Sequence, residues 1–198
     1  GELKTRRGID AVYCWHTLGG YWGGVSTTSP HLASLEATVQ TPSPTRGLLE
    51  TEPALAWDAA ALHGVGVVDH EKLLELFHGM HGYLADAGVD GVKVDGQSGL
   101  VPFGGAAFVR RYVRAMEASV AEHFDANRCI NCMCHASDNI FAYRTTAVLR
   151  AADDFYPTDP ASHPAHIRNV AYNSVRATCP PRAISSRAPR PRGIAPST

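Results

Sequence analysis

The sequence predicts a parallel α/β sheet or barrel, and three observations carry that expectation. Short runs of β-branched, aromatic or cysteine residues recur at 9–16, 88–95, 129–135 and 145–150. Two long stretches with helical periodicity, 69–87 and 105–124, stand between them, the alternation that builds parallel sheets. In Gly88-Val89-Asp90-Gly91-Val92-Lys93-Val94-Asp95 the charges gather at the C-terminal end. A half-buried surface strand carries charge along one face throughout, whereas parallel sheets and barrels hold their active sites at the strand C-termini.

Composition bounds the rest. A chain of 198 residues suffices for one large domain or two small ones with a core of useful size. Its 44% hydrophobic and 19% charged residues are ordinary for a soluble globular protein. A net charge of -1 gives no general reason to expect nucleic acid or an anionic membrane as partner. No apolar run approaches the roughly 20 residues that span a bilayer. The opening Gly1-Glu2-Leu3-Lys4-Thr5-Arg6-Arg7 lacks the following apolar segment of a signal peptide, and its first residue is not methionine, so this need not be a natural N-terminus. Five cysteines, three of them between Cys129 and Cys134, suit a reducing compartment better than a disulfide framework. Cytosol is expected, with a plastid stroma as the alternative.

In chain order, Ile9-Asp10-Ala11-Val12-Tyr13-Cys14-Trp15-His16 reads as the first strand. It runs into a loop containing Gly19, Gly20, Gly23 and Gly24 with Tyr21 and Trp22. Glycines admit a close approach of ligand to backbone, and flat aromatics stack on the apolar face of a sugar or base. Trp15, His16 and Trp22 are therefore candidate binding residues, against the plainer reading of a turn with anchoring side chains. Residues 25–64 show loop composition and no strong period. Asp69 is placed as the N-cap of a helix whose apolar stripe is Leu73, Leu76, Phe77, Met80, Tyr83 and Leu84. His70, His78 and His81 fall off or beside that stripe, are expected to face solvent, and are not read as metal ligands. Gly88 ends the helix.

Val92 and Val94 then share one face of the second strand, and Gly91, Lys93 and Asp95 the other. Asp95 is either a carboxylate placed for chemistry or a cap for the following turn. The next helix shows an apolar face of Phe108, Tyr112, Ala115, Met116 and Val120, with Arg110, Arg111, Arg114, Glu117 and Glu122 on its wet side. Cys129-Ile130-Asn131-Cys132-Met133-Cys134-His135 is read as a buried strand rather than a zinc site, because a second ligand pair at finger-like distance is missing. His135, at its end, is expected to face a pocket. Thr145 to Arg150 delivers Arg150, Asp153 and Asp154 to the same end of the sheet, and a final helix is expected over 162–173. Residues 1–175 would thus form the folded domain. Residues 176–198, rich in arginine, proline and serine and without acid, are expected to be disordered. A non-native or spliced end is preferred there over a nucleic-acid tail.

Two aspartates at strand ends, Asp95 and Asp154, suit a retaining glycosidase. One carboxylate attacks the anomeric carbon while the other protonates the leaving oxygen and then activates the acceptor, the pair sitting roughly 5 to 5.5 Å apart. Lys93 would hold sugar hydroxyls and keep Asp95 ionised.

Tyr13-Cys14-Trp15-His16 with Gly20-Tyr21-Trp22-Gly23-Gly24, the run Gly88 to Asp95, Cys132-Met133-Cys134-His135, and Arg150-Ala151-Ala152-Asp153-Asp154-Phe155-Tyr156-Pro157 resemble the plant raffinose synthase, seed imbibition protein and alkaline α-galactosidase group of glycoside hydrolase family 36. The resemblance covers about residues 9–175. It implies a TIM-type barrel, retaining α-galactosyl transfer through a galactosyl-aspartate, no cofactor and no metal, and galactinol, sucrose and raffinose-type sugars as small-molecule partners. Its Lys-x-Asp nucleophile falls on Asp95 and its Arg-x-x-x-Asp acid/base on Asp154, with Asp153 as the alternative. Arg150 and His135 join the binding set. The serine expected before the two aspartates is Ala152 here. A full barrel has eight βα units over about 250 residues, and only about four strands are legible here, so a partial barrel and a fragment are expected. Galactosyl transfer from galactinol to sucrose is the leading activity. Hydrolysis by an alkaline α-galactosidase and an inactive truncated remnant are the alternatives.

Overall fold

Tyr13–Thr17 forms β1, and the chain then alternates short strands with helices of very unequal length. A computed structural model describes residues 2–124, 128–146 and 148–176. Preceding β1 is a short helix, α1 (Glu2–Arg7), and following it are β2 (Thr38–Gln40), α2 (Arg46–Thr51), α3 (Ala59–His63) and β3 (Val65–Val67). The scaffold proper is α4 (Leu73–Asp86), β4 (Gly91–Asp95), α5 (Val101–His123) and β5 (Cys129–Asn131). It is completed by α6 (Ser137–Ile140), β6 (Val148–Leu149) and α7 (His163–Arg176). The expected tail lies, from residue 177 onward, outside the described residues.

The expected parallel α/β sheet is present: four strands in the order β1-β4-β5-β6, every pair parallel. Thr17 is registered on Asp95, Val94 on Asn131 and Asn131 on Leu149, so the strand C-termini finish at one rim. Three strand expectations were too long, the first because β1 begins at Tyr13 and residues 9–12 precede it. The chain leaves β5 after Asn131, turning through Met133 at φ 44°. Before β6, residues 144–146 give their backbone N–H groups to the Glu117 carboxylate instead of to a strand. The stretch 25–64, unreadable by period, supplies β2, which pairs antiparallel with β3, and two short helices capped by Thr45 and Asp58. Gly24 sits at φ 75° where a Cβ would lie 2.2 Å from the Gly66 carbonyl oxygen. The glycine-rich loop therefore serves a backbone approach to β3, with the Val25 N–H donating to Gly66 O at 2.9 Å, and Gly24 is not reserved for a ligand.

Helix α4 does not start at Asp69 but follows a 3₁₀ turn, His70–Lys72, that Asp69 caps, its carboxylate accepting from Glu71 N at 2.9 Å. It ends in a Schellman turn: Gly88 has φ 84°, and the N–H groups of Gly88 and Val89 reach Ala85 O and Leu84 O. Its stripe departs from expectation on both flanks. Tyr83 is exposed and His81 fully buried. At 100° per residue the two lie about 80° to either side of the stripe's centre, so periodicity alone could not choose between them. Packing of β1 and α5 on the His81 side decides it, since His16, Ser119 and Phe124 all meet that ring.

Register and alternation sort the sheet into two faces. Cys14, His16, Val92, Val94, Cys129 and Asn131 point to the helix side. There Val92 and Val94 pack with Phe77 and Leu73 of α4 and Val109, Val113, Met116 and Val120 of α5 in one core cluster. Tyr13, Trp15, Thr17, Gly91, Lys93, Asp95, Ile130 and Val148 point the other way. Glu117, expected on the wet side of α5, is buried.

Candidate active site

Asp95 ends β4 at the rim with its side chain on the open face. Its Oδ1 accepts from the Gly96 N–H at 2.8 Å and its Oδ2 from Trp15 Nε1 at 2.9 Å. Burial alone would raise this carboxyl, which is 8% exposed. The donors Trp15, Gly96 and the Cys132 thiol, with the charge of Lys93, outweigh burial and hold the carboxyl below the usual carboxylate range. An ionised, partly shielded carboxylate with fixed donors has the chemistry that a nucleophile needs. The hydrogen bond to Gly96 also fits the capping reading, and it leaves the chemical reading open to the same side chain.

The second aspartate reaches the same rim through a thiol and a guanidinium. Arg150 follows β6, its N–H donating to Asn131 O at 3.0 Å. Its Nη1 donates to Cys132 Sγ at 3.3 Å and to Asp154 Oδ1 at 2.6 Å. Those two hydrogen bonds raise the arginine further above its usual value. The Cys132 thiol is also among the groups that hold the Asp95 carboxyl down, so it stands on the Asp95 side of a chain of hydrogen bonds that runs Cys132–Arg150–Asp154. Asp153 stands outside it: its Oδ1 accepts from the Asp154 N–H at 2.9 Å, a local turn contact.

Beneath the rim lies a buried polar network that the sequence did not reveal. Gln97 Nε2 donates to Val94 O and to Asn131 Oδ1, and Tyr143 OH donates to Gln97 Oε1 at 2.7 Å. Asn131 Nδ2 donates to Thr146 Oγ1 and Val148 O. Glu117 Oε1 accepts from the N–H groups of Arg144, Thr145 and Thr146 and from the Thr146 hydroxyl, at 2.8 to 3.0 Å. A buried carboxylate is tolerated only when so fully hydrogen-bonded. The network ties α5, β4, β5 and the approach to β6 together, and so fixes where Arg150 emerges. The one hint in the sequence was that polar residues fall at strand and helix positions otherwise apolar.

Of the other candidates, Trp15 and Trp22 meet, with ring centroids 5.5 Å apart at 47°, and Tyr21 packs edge-on against Trp15 at 5.9 Å. Beside them opens a cavity of about 400 Å³, lined on the rim side by Thr17, Trp22, Gly96 and Met133 and on the far side by Pro42, Leu48 and Leu55. Thr17, which sequence reasoning passed over, has a buried hydroxyl without a hydrogen-bond partner among the described residues. His135 Nδ1 and both amide atoms of Asn139 are likewise buried and unpartnered. His16 is not brought to this cluster. One residue after Trp15, it points to the helix side, where its Nε2 meets His81 Nε2 at 3.1 Å and burial lowers its basicity. Cys129, Cys132 and Cys134 are buried free thiols. Burial, then nearby Glu117, pushes Cys129 up to about 12, and burial pushes Cys134 up to about 11. All three pack as buried small side chains, though only Cys129 lies within β5.

The family model described as raffinose synthase or seed imbibition protein Sip1 matches residues 1–178. The chain belongs to that family. It is 42% identical over 177 residues to the probable galactinol–sucrose galactosyltransferase 6 of Arabidopsis thaliana, covering 87% of this chain and 23% of the relative. It is 37% identical over 191 residues to the galactinol–sucrose galactosyltransferase of Pisum sativum, covering 88% and 23%. To the stachyose synthase of Pisum sativum it is 31% identical over 189 residues, covering 88% and 22%. This family member thus spans about a quarter of the length of those relatives. No described helix is long and apolar enough to cross a membrane.

Proposed function

We propose that this chain carries the reacting carboxylates of a retaining α-galactosyl transferase, passing galactose from galactinol to sucrose. The observation that supports it best is a hydrogen-bonded, ionised Asp95 at the end of β4 with the Arg150–Asp154 pair at the end of β6, in a chain whose relatives bear galactinol–sucrose galactosyltransferase names. On this reading the parallel sheet is an arc of a (β/α) barrel. The face of Trp15, Lys93 and Asp95 is then the barrel interior, a use that fits the partial exposure of Trp15 there.

In the first step the Asp95 carboxylate attacks the anomeric carbon of the donor. The bond from that carbon to the leaving oxygen breaks, and Asp154 gives the oxygen its proton. A galactosyl ester on Asp95 results, with Asp154 ionised. In the second step Asp154 takes the proton of the acceptor hydroxyl, whose oxygen attacks the same carbon and releases Asp95. Two inversions give retention, and no cofactor is called for. Arg150 stabilises the Asp154 carboxylate between the steps, and Asp154, more exposed than Asp95, is reachable by both leaving and incoming oxygens. Trp15 and Trp22 offer flat apolar faces to the sugar, whereas the unpartnered polar atoms of Thr17 and His135 are buried and meet it only if their surroundings shift. His16 has no part in this reading.

Incubating the protein with galactinol, with and without sucrose, tests it. Galactose transferred to sucrose is the expected result. Release into water alone would replace transfer by hydrolysis, and no turnover by a folded sample would overturn the proposal.

A further inference from the structure

Helices α4 and α5, which back the sheet, bring three potential metal ligands together far from the sugar rim. His78 Nδ1 and His123 Nε2 are 3.0 Å apart, and His78 Nε2 is 3.7 Å from a Glu122 carboxylate oxygen. One ligand atom from each residue lies within 4.8 Å of the other two. Because α5 leaves the rim after β4 and returns to the start of β5, its last residue, His123, marks the opposite end of the sheet. We infer that His78, Glu122 and His123 form a binding site for a divalent transition metal of the zinc type, clamping α4 to α5.

The geometry suits such an ion. Zinc takes imidazole nitrogen at about 2.0 to 2.1 Å, so two nitrogens 3.0 Å apart already reach a common centre. At those bond lengths they subtend an angle slightly above 90°, and widening their separation by about 0.3 Å gives the tetrahedral value. Two imidazoles and a carboxylate form a nitrogen and oxygen set that favours zinc, nickel, copper or cobalt over magnesium and calcium. The Glu122 oxygen stands beside the other nitrogen of His78, Nε2, so this exposed side chain must turn toward Nδ1 to become the third ligand, leaving a fourth position open to water.

Two features of the helices point the same way. Gly82 sits in the middle of α4, where glycine is unfavourable, and a Cβ there would lie 3.3 Å from His123 Cε1. The glycine makes room for the His123 ring to lie against α4. Glu122 and His123 occupy the last turn of α5, where the helix dipole disfavours a carboxylate and favours a cation. A bound metal ion would offset that misplaced charge.

The test is zinc titration of the full chain by calorimetry, followed by cobalt substitution. The expected result is one zinc per chain, with affinity reduced by at least an order of magnitude in His78→Ala and in His123→Ala, and a raised melting temperature only where zinc binds. Cobalt should show ligand-field bands without thiolate charge transfer, which separates this site from the cysteines. Glu122→Gln, exposed and isosteric, keeps the test valid if a histidine variant folds poorly, and should weaken zinc while leaving the metal-free melting temperature in place. Unchanged zinc affinity in these variants, or a thiolate band with cobalt, would overturn the site.

Discussion

On the helix side of the sheet Val92 and Val94 are fully buried against α4 and α5, while on the other side Tyr13, Trp15 and Val148 keep between 38% and 49% of their surface exposed. The same strands make both faces, one residue alternating with the next. What differs is the company each face keeps. The helix side is closed by hydrocarbon and by neutral histidines hydrogen-bonded to one another, and it carries the stability. The open side collects an indole donor, a lysine and a carboxylate whose bonds gather at one end, and it carries the proposed chemistry. Trp15 and His16, adjacent in sequence, serve different faces for this reason alone.

Changing one residue at a time on each face would break or sharpen that contrast. The largest effect is expected from Asp95→Asn, which should lower galactosyl transfer by about four orders of magnitude or more with an unchanged circular dichroism spectrum. Transfer at wild-type rates would remove Asp95 from the nucleophile role. On the covered face, Phe77→Ala should cost about 3–5 kcal/mol in urea unfolding, since Phe77 is fully buried in the core cluster. A cost below 1 kcal/mol would show that α4 does not hold the sheet.

Acid should also act through the covered face. Burial, then the neighbouring imidazoles of His16, His123 and His78, pushes His81 down to about 3 from an ordinary 6.5. Between those values the unfolded chain binds a proton that the folded chain refuses. The His81 contribution to stability is therefore complete above pH 6.5 and is lost progressively as pH falls toward 3. Urea midpoints measured across that window should fall with pH, and the slope should shrink in His81→Phe. A smaller change is expected from Trp15→Phe on the open face. Removing the indole donor raises the Asp95 carboxyl, so the acid limb of kcat/KM should move to higher pH while the neutral rate stays within about tenfold. Smallest of all, Val148→Ala should change stability by less than about 1 kcal/mol, because its side chain is half exposed.

Much of this contrast was legible in the sequence. Val92 and Val94 on one face and Lys93 and Asp95 on the other follow from a period of two. The helices around Leu76 and Met116 follow from a period of 3.6, and Gly88 marks its turn without help from tertiary structure. What could not be read depended on contacts between elements distant in sequence. His81 and Tyr83 had equal claims on the α4 stripe until β1 and α5 took one side. Glu117 looked like any exposed helix acid, because the N–H groups it binds lie 27 to 29 residues further along. Residues 38–67 form a strand pair through β2 and β3 in three-residue strands, too short to display any period. At the site, Asp95 and Arg150 could be placed by strand ends, but the Cys132 thiol between them looked like packing material.

Glu117 reads only main-chain N–H groups in the turn at 144–146, apart from the Thr146 hydroxyl. The side chains of Arg144 and Thr145 are thereby released from any duty in aiming Arg150, and drift at those two positions should be nearly silent. Spacing is another matter. Adding or deleting a single residue between Tyr143 and Arg150 would put the wrong amides against that carboxylate and swing the guanidinium away from its thiol. The segment thus tolerates spelling changes and forbids changes of length.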